Sequence, residues 1–92
     1  MTPCFPIGQV VATPGAWSLL EKDIDLASML VGRHACGDFG DICQDDAHLN
    51  IEAIRLGNRR VMSVYKLIGA GKLWIITEAD RSVTTLLLPC EY

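Results

Sequence analysis

The chain has 92 residues, half of them hydrophobic, with eight Lys and Arg against eleven Asp and Glu, a formal charge of −3 and a pI near 5.1. This length makes one small domain, residues 1–92, in which folding buries roughly 60–65% of the unfolded surface. The acidic balance argues against nucleic acid as a partner, because phosphate binding needs a basic surface.

No apolar run approaches the roughly 20 residues of a membrane span. Residues 1–6 lack the basic start and apolar stretch of a signal peptide, so no membrane is expected and the expected compartment is cytoplasmic. A mean hydropathy of +0.27 is high for a small soluble chain. A sheet face covered by a protein partner, or by a second copy in a homodimer, would account for the surplus.

Taken in order, residues 1–6 carry two prolines and read as a loose arm. Residues 7–12, Ile-Gly-Gln-Val-Val-Ala, read as a first strand, with Gly8 and Pro6 favouring an edge or a bulge. Thr13 can cap a helix that has Pro14 as its first residue, where the missing N–H does no harm. Trp17 and Leu20 share a face of this helix, which is expected to end near Lys22, and Trp17 is expected to be buried. Asp23 or Asp25 caps a second helix over residues 24–33, with Ala27, Leu30 and Val31 as its apolar stripe. Gly37 and Gly40 break the period, so residues 35–42 form a loop. A third helix spans residues 44–56, with Asp45 and Asp46 in its first turn and Arg55 in its last, where each suits the helix dipole. Its expected inward stripe is Ala47, Ile51 and Ile54, and Gly57-Asn58 ends it.

Residues 60–67 alternate, with Val61, Ser63, Tyr65 and Leu67 on one face and Met62, Val64 and Lys66 on the other. A glycine-rich turn leads into residues 73–89, the most strand-like stretch of the chain. Two β-branched and aromatic runs there flank Ala79-Asp80-Arg81-Ser82, a tight-turn composition. With Asp80 and Arg81 central, Glu78 faces Val83, Thr77 faces Thr84 and Ile75 faces Leu86. Trp74 is expected to be buried from the sheet. The fold class is therefore α+β: a mainly antiparallel sheet, with a C-terminal three-stranded meander and about three N-terminal helices on one face.

Two segments could carry chemistry. In residues 33–41, His34, Asp38 and Asp41 crowd a loop whose glycines allow close approach of a ligand, and Asp can orient a His ring or hold a cation. In residues 77–85, Arg81 stands among Glu78, Asp80 and Thr84, a set suited to phosphate binding or acid–base work. The structural alternatives are turns and helix caps made by Asp38 and Asp41, a His34 bonded to a backbone carbonyl, and a Thr77–Thr84 cross-strand pair. If the two segments meet, His34, Asp38, Asp41, Glu78, Asp80, Arg81 and Thr84 form one polar site. No metal and no cofactor are expected, since neither a zinc, EF-hand, P-loop nor Rossmann spacing is present. Arg55, Arg59, Arg60 and Lys66 make a small basic cluster, read as a solvated helix end and strand edge. Cys4, Cys36, Cys43 and Cys90 lack paired spacing and are expected to be free thiols.

The stretch His-Ala-Cys-Gly-Asp-Phe-Gly-Asp at 34–41, together with Leu-Trp-Ile-Ile-Thr-Glu-Ala-Asp-Arg-Ser-Val-Thr-Thr-Leu-Leu-Leu-Pro at 73–89, resembles a family of short uncharacterised bacterial proteins, often encoded on plasmids and other mobile elements. That family's pattern runs R-H-x-x-G-D-W-G-D, then W-I-I-T-E-A-D-R-S-x-T-T-x-L-L-P. The resemblance extends over most of the chain from Thr13 onward. The chain departs from the pattern at Phe39, where Trp is usual, and at Cys90. The resemblance implies a small accessory or interaction protein of a mobile element, without an assigned activity. The competing expectation is a compact RNase-type toxin using His34 as acid or base and Arg81 on phosphate. Small-ligand binding in a pocket between helices and sheet is a third class.

Overall fold

The computed structural model describes residues 3–67 and 69–92; residues 1 and 2 of the expected arm lie outside them. The elements are β1 (Gln9–Ala12), α1 (Pro14–Leu19), α2 (Ile24–Ala35), α3 (Gln44–Leu56), β2 (Val61–Leu67), β3 (Gly71–Thr77) and β4 (Val83–Leu87), followed by a 3-10 turn, Pro89–Glu91. The fold is α+β. Strands β2, β3 and β4 form the antiparallel meander, with Thr77 opposite Thr84 and Ile75 opposite Leu86 as the turn composition requires. The sheet order is β1-β4-β3-β2, and β1 lies parallel to β4. The sheet is therefore mixed.

Local chemistry sets the helix starts. The Thr13 side chain accepts from the Ala16 amide with Pro14 behind it, and the Asp23 carboxylate accepts from the Asp25 and Leu26 amides. Each satisfies amides that the first turn leaves without partners. Helix α1 stops at Leu19, earlier than its spacing suggests, because Glu21 and Lys22 turn the chain through positive φ. Helix α2 runs two residues further than expected, to Ala35, which draws His34 into its last turn.

Helices α1 and α2 bury Ala16, Leu20, Ala27, Leu30 and Val31 against Tyr65, Leu73, Ile75 and Leu86 of the sheet. Helix α3 closes a second cluster with Phe5, Phe39, Ala53 and Val61. The expected inward stripe of α3 is corrected here. Asn50 and Ala53 are its buried residues, and Ile51 is 57% exposed. The helix is rotated so that Asn50 faces the edge of β2, donating to Met62 O at 2.7 Å and accepting from the Met62 amide at 3.0 Å. Those two bonds fix the rotation, and periodicity of apolar residues cannot see them. Trp17 and Trp74 are half-buried, not buried. Trp74 lies on the sheet face away from the helical core and meets Tyr92 edge-on at 5.6 Å.

Candidate functional site

The polar residues singled out in the sequence fall into three environments. The first is sealed inside the protein. His34 is 0% exposed, between helix α2 and the sheet. Its Nδ1 lies 2.6 Å from Ser63 Oγ and its Nε2 2.9 Å from Thr77 Oγ1. Thr77 Oγ1 is 2.6 Å from Thr84 Oγ1, which donates to Ile7 O at 2.6 Å.

Counting protons orients the whole chain of bonds. Ile7 O can only accept, so the single Thr84 hydroxyl proton goes there. Thr77 must then donate to Thr84, which leaves Thr77 able only to accept from His34. His34 therefore carries its proton on Nε2, and Nδ1 accepts from Ser63. Burial pushes the imidazole down to about 4, so it is neutral at physiological pH. The expectation that His34 bonds a backbone carbonyl is corrected: its partners are two hydroxyls.

The second environment is the β3–β4 turn. Arg81 has φ +62° and folds its guanidinium back onto main-chain oxygens. Nη1 donates to Arg59 O at 2.7 Å, Glu78 O at 3.1 Å and Ala79 O at 3.2 Å, and Nη2 donates to Ala53 O at 2.8 Å. Ala53 lies in the last turn of α3, where a cation is favoured, and its carbonyl also accepts from the Gly57 amide at 2.8 Å. Asp80 accepts from the Ser82 amide at 2.9 Å, and the Ser82 bonds hold its carboxyl below the usual range. Glu78 is exposed.

The third environment is a cleft of about 630 Å³ between the α1–α2 corner, helix α2 and the end of β2. Leu19, Leu26, Met29 and Leu67 contribute apolar surface, and Glu21, Asp23, Asp38, Asp41, Arg33 and Lys66 contribute charge. Asp38 pairs with Arg33 at 2.8 Å, which lowers the Asp38 carboxyl and raises the Arg33 guanidinium. The guanidinium also lies 4.8 Å from the Tyr65 ring centroid. The Tyr65 hydroxyl donates to Asp38 O at 2.6 Å, and burial pushes its phenol up to about 12. Asp38 also accepts from the Gly40 amide, as its turn reading requires, whereas the residue that starts α3 is Cys43, without a side-chain cap.

Phe5 touches both His34 and Arg81. The Phe5 ring stands edge-on to His34 at 5.3 Å, and the Arg81 guanidinium lies 5.7 Å from its centroid. Thr84 belongs to the buried chain, Asp38 and Asp41 to the cleft, and Glu78 and Asp80 to the turn. Sequence reasoning missed Phe5, Arg33, Asn50, Ser63 and Tyr65 as partners. Ser63 left a signal, a lone hydroxyl on the apolar face of β2, the same sheet face that carries Thr77.

Among the described residues no cluster of His, Cys, Asp and Glu could hold a metal ion, and no helix is long and apolar enough to cross a membrane. The four cysteines are free. Comparisons with protein-family models, with curated proteins and with solved structures give no match, so function is argued from the residues alone.

Proposed function

We propose that this chain is a small non-catalytic interaction protein that works as a homodimer, of the accessory kind carried by mobile elements. The observation that carries this reading is the fate of the two residues best suited to catalysis. His34 has no exposed surface and both ring nitrogens are occupied by hydroxyls, while four backbone carbonyls take the Arg81 guanidinium. A general acid or base must come within hydrogen-bond reach of its substrate. An RNase-type toxin using His34 and Arg81 would have to unpack Phe5 and break these bonds first. The surface instead leaves Val10, Val11, Met29, Leu49, Ile51 and Leu56 exposed, which suits association with protein and, with the acidic charge, disfavours nucleic acid.

The test is induced expression with total RNA integrity and growth as readouts, for wild type and for Arg81→Lys. We expect intact RNA and unimpaired growth in both. Degraded RNA with wild type, restored with Arg81→Lys, would overturn the non-catalytic reading.

The cleft favours a second reading, small-ligand binding. Its apolar wall and its excess of carboxylates suit a cationic amphiphile. An alkylated polyamine used as probe should raise the melting temperature, and Asp41→Asn should weaken the shift; no shift at saturating probe would remove this reading.

A further inference from the structure

The fold treats the two edges of its sheet differently. The β2 edge is closed by its own chain. Asn50 takes both the N–H and the C=O of Met62. The segment before α3 takes those of Val64, whose amide donates to Phe39 O at 3.0 Å and whose carbonyl accepts from the Asp41 amide at 2.7 Å. An edge covered in this way cannot recruit another strand.

The β1 edge has no such cover among the described residues. Its register with β4 is parallel, Val10 opposite Thr84 and Ala12 opposite Leu86. The amides of Gln9 and Thr13 donate inward, to Ser82 O and Leu86 O. Backbone groups alternate sides along a strand, so Val11 also bonds inward while Val10 and Ala12 turn their N–H and C=O groups outward. All four residues of β1 are exposed, Val10 by 45% and Val11 by 39%. No charged residue lies between residues 3 and 20, which spans the strand and both its flanks. Edge strands are ordinarily protected by Lys, inward charges or bulges; this one is apolar and open.

We propose that the outer edge of β1 is the docking surface for a second copy of this chain, which adds its own β1 antiparallel across a two-fold axis. The proposal rests on the homodimer reading above and names its surface. The occupant follows from self-complementarity. With Val11 on the axis opposite the partner's Val11, Val10 faces the partner's Ala12. The two outward-facing residues of each copy then exchange N–H···O=C bonds in both directions, four bonds in all. Isologous pairing places like residues near one another, and only an uncharged strand does so without repulsion in a chain of net charge −3. The product is one continuous sheet of twice the present four strands. Four residues per copy is a short seam against the ~800 Å² per partner of a standard interface, so association depends on concentration.

The experiment is sedimentation equilibrium from low micromolar to near-millimolar concentration, with wild type and Val11→Lys, alongside crosslinking. For the latter, Val11→Cys is placed in a background with the four native cysteines changed to Ser, and Ser28→Cys on the exposed side of α2 serves as control. Residues opposite one another at a non-hydrogen-bonded position have Cβ atoms about 4.5–5.5 Å apart, close enough for a disulfide after a small shift. We expect wild type to approach twice 10.1 kDa, Val11→Lys to weaken association at least tenfold with an unchanged far-ultraviolet spectrum, and Val11→Cys to crosslink where Ser28→Cys does not. Wild type at the monomer mass throughout would overturn both this proposal and the homodimer reading. A dimer that persists in Val11→Lys and fails to crosslink through position 11 would overturn the edge alone.

Discussion

Protonating His34 would place a charge among three hydroxyls, Ser63, Thr77 and Thr84, whose protons are already directed by neutral acceptors. In the folded chain the imidazole is pushed from 6.5 down to about 4 by burial. Between those values the unfolded chain binds a proton that the folded chain refuses, so stability falls as pH drops through the window and levels off below it. The full window is worth about 3 kcal/mol. The carboxyls of Asp38, Asp80 and Glu91 are also held low, by hydrogen-bonding partners, and act with the same sign at lower pH: they keep their contribution until pH falls below the ordinary values of 3.8 for the two Asp and 4.5 for Glu91. The two windows are therefore separable. Melting temperatures measured from about pH 7.5 to about pH 4.5 should decline in wild type, and nitrogen chemical shifts should report a neutral ring protonated at Nε2. A flat profile, or the Nδ1–H tautomer, would contradict the proton count. The residue letters could not convey this, because His34 stands in a loop-like context of Asp and Gly while the last turn of α2 carries it inward.

At the scale of elements, two side groups hold strands in place where no periodicity announces them. Asn50 acts as a fragment of a neighbouring strand for Met62. Asn50→Leu leaves a backbone amide and carbonyl without partners, and the loss should be about 2–4 kcal/mol by chemical denaturation, given about 1–3 kcal/mol for each buried unsatisfied group. Asn50→Asp, which keeps the acceptor, should cost less. Gly8 does the corresponding work for β1. A Cβ there would lie 2.3 Å from Ser82 O, and its φ is +61°. Gly8→Ala should therefore push β1 from β4, seen as lost hydrogen-exchange protection at Val11 with protection in β2 and β3 retained. The hairpin register was legible in the sequence because its loop is short and local, although the turn closes through the Arg81 amide on Glu78 O, which makes Ala79 and Asp80 its central residues in place of the expected Asp80 and Arg81. The same holds for the caps at Thr13 and Asp23, whose signals lie within three residues of the helix they start. The rotation of α3 was not legible, since its determinant is a polar contact across 12 residues of sequence. Nor was the parallel β1–β4 pairing, which joins segments more than 70 residues apart and leaves no mark in either one.

Across the whole molecule, Arg81 ties together parts that share no secondary structure: the β3–β4 turn, the end of α3 through Ala53 O, the entry to β2 through Arg59 O, and Phe5 of the N-terminal arm. Lys has the charge but not the planar fork that reaches several carbonyls at once. Arg81→Lys should lower the denaturation free energy by about 1–3 kcal/mol and increase proteolytic cutting near Phe5 before global unfolding; unchanged cutting would mean the arm is held by its own packing. The candidate site was legible only as a set of residue types. Chemistry-bearing side chains at a turn and at a helix end look alike in sequence whether they face substrate or face the backbone, and here His34 and Arg81 face inward.

The parallel seat of β1 on β4 bears on how the molecule comes into being. A chain made from its amino end produces β1 and all three helices well before β4, and Thr84 reaches back 77 residues to Ile7. Until then the strand has no groove to enter, the six-residue helix α1 is too short to persist alone, and the His34 network lacks Thr84, the hydroxyl that joins Thr77 to Ile7 O. Completion is thus a single late event. A polypeptide cut short before Val83 should be an unfolded, protease-sensitive product, which limited proteolysis of a chain ending at Ser82 would reveal. The architecture thereby carries its own quality check: a copy that lacks its last strand forfeits the first as well, and is left open to the proteases that clear defective chains.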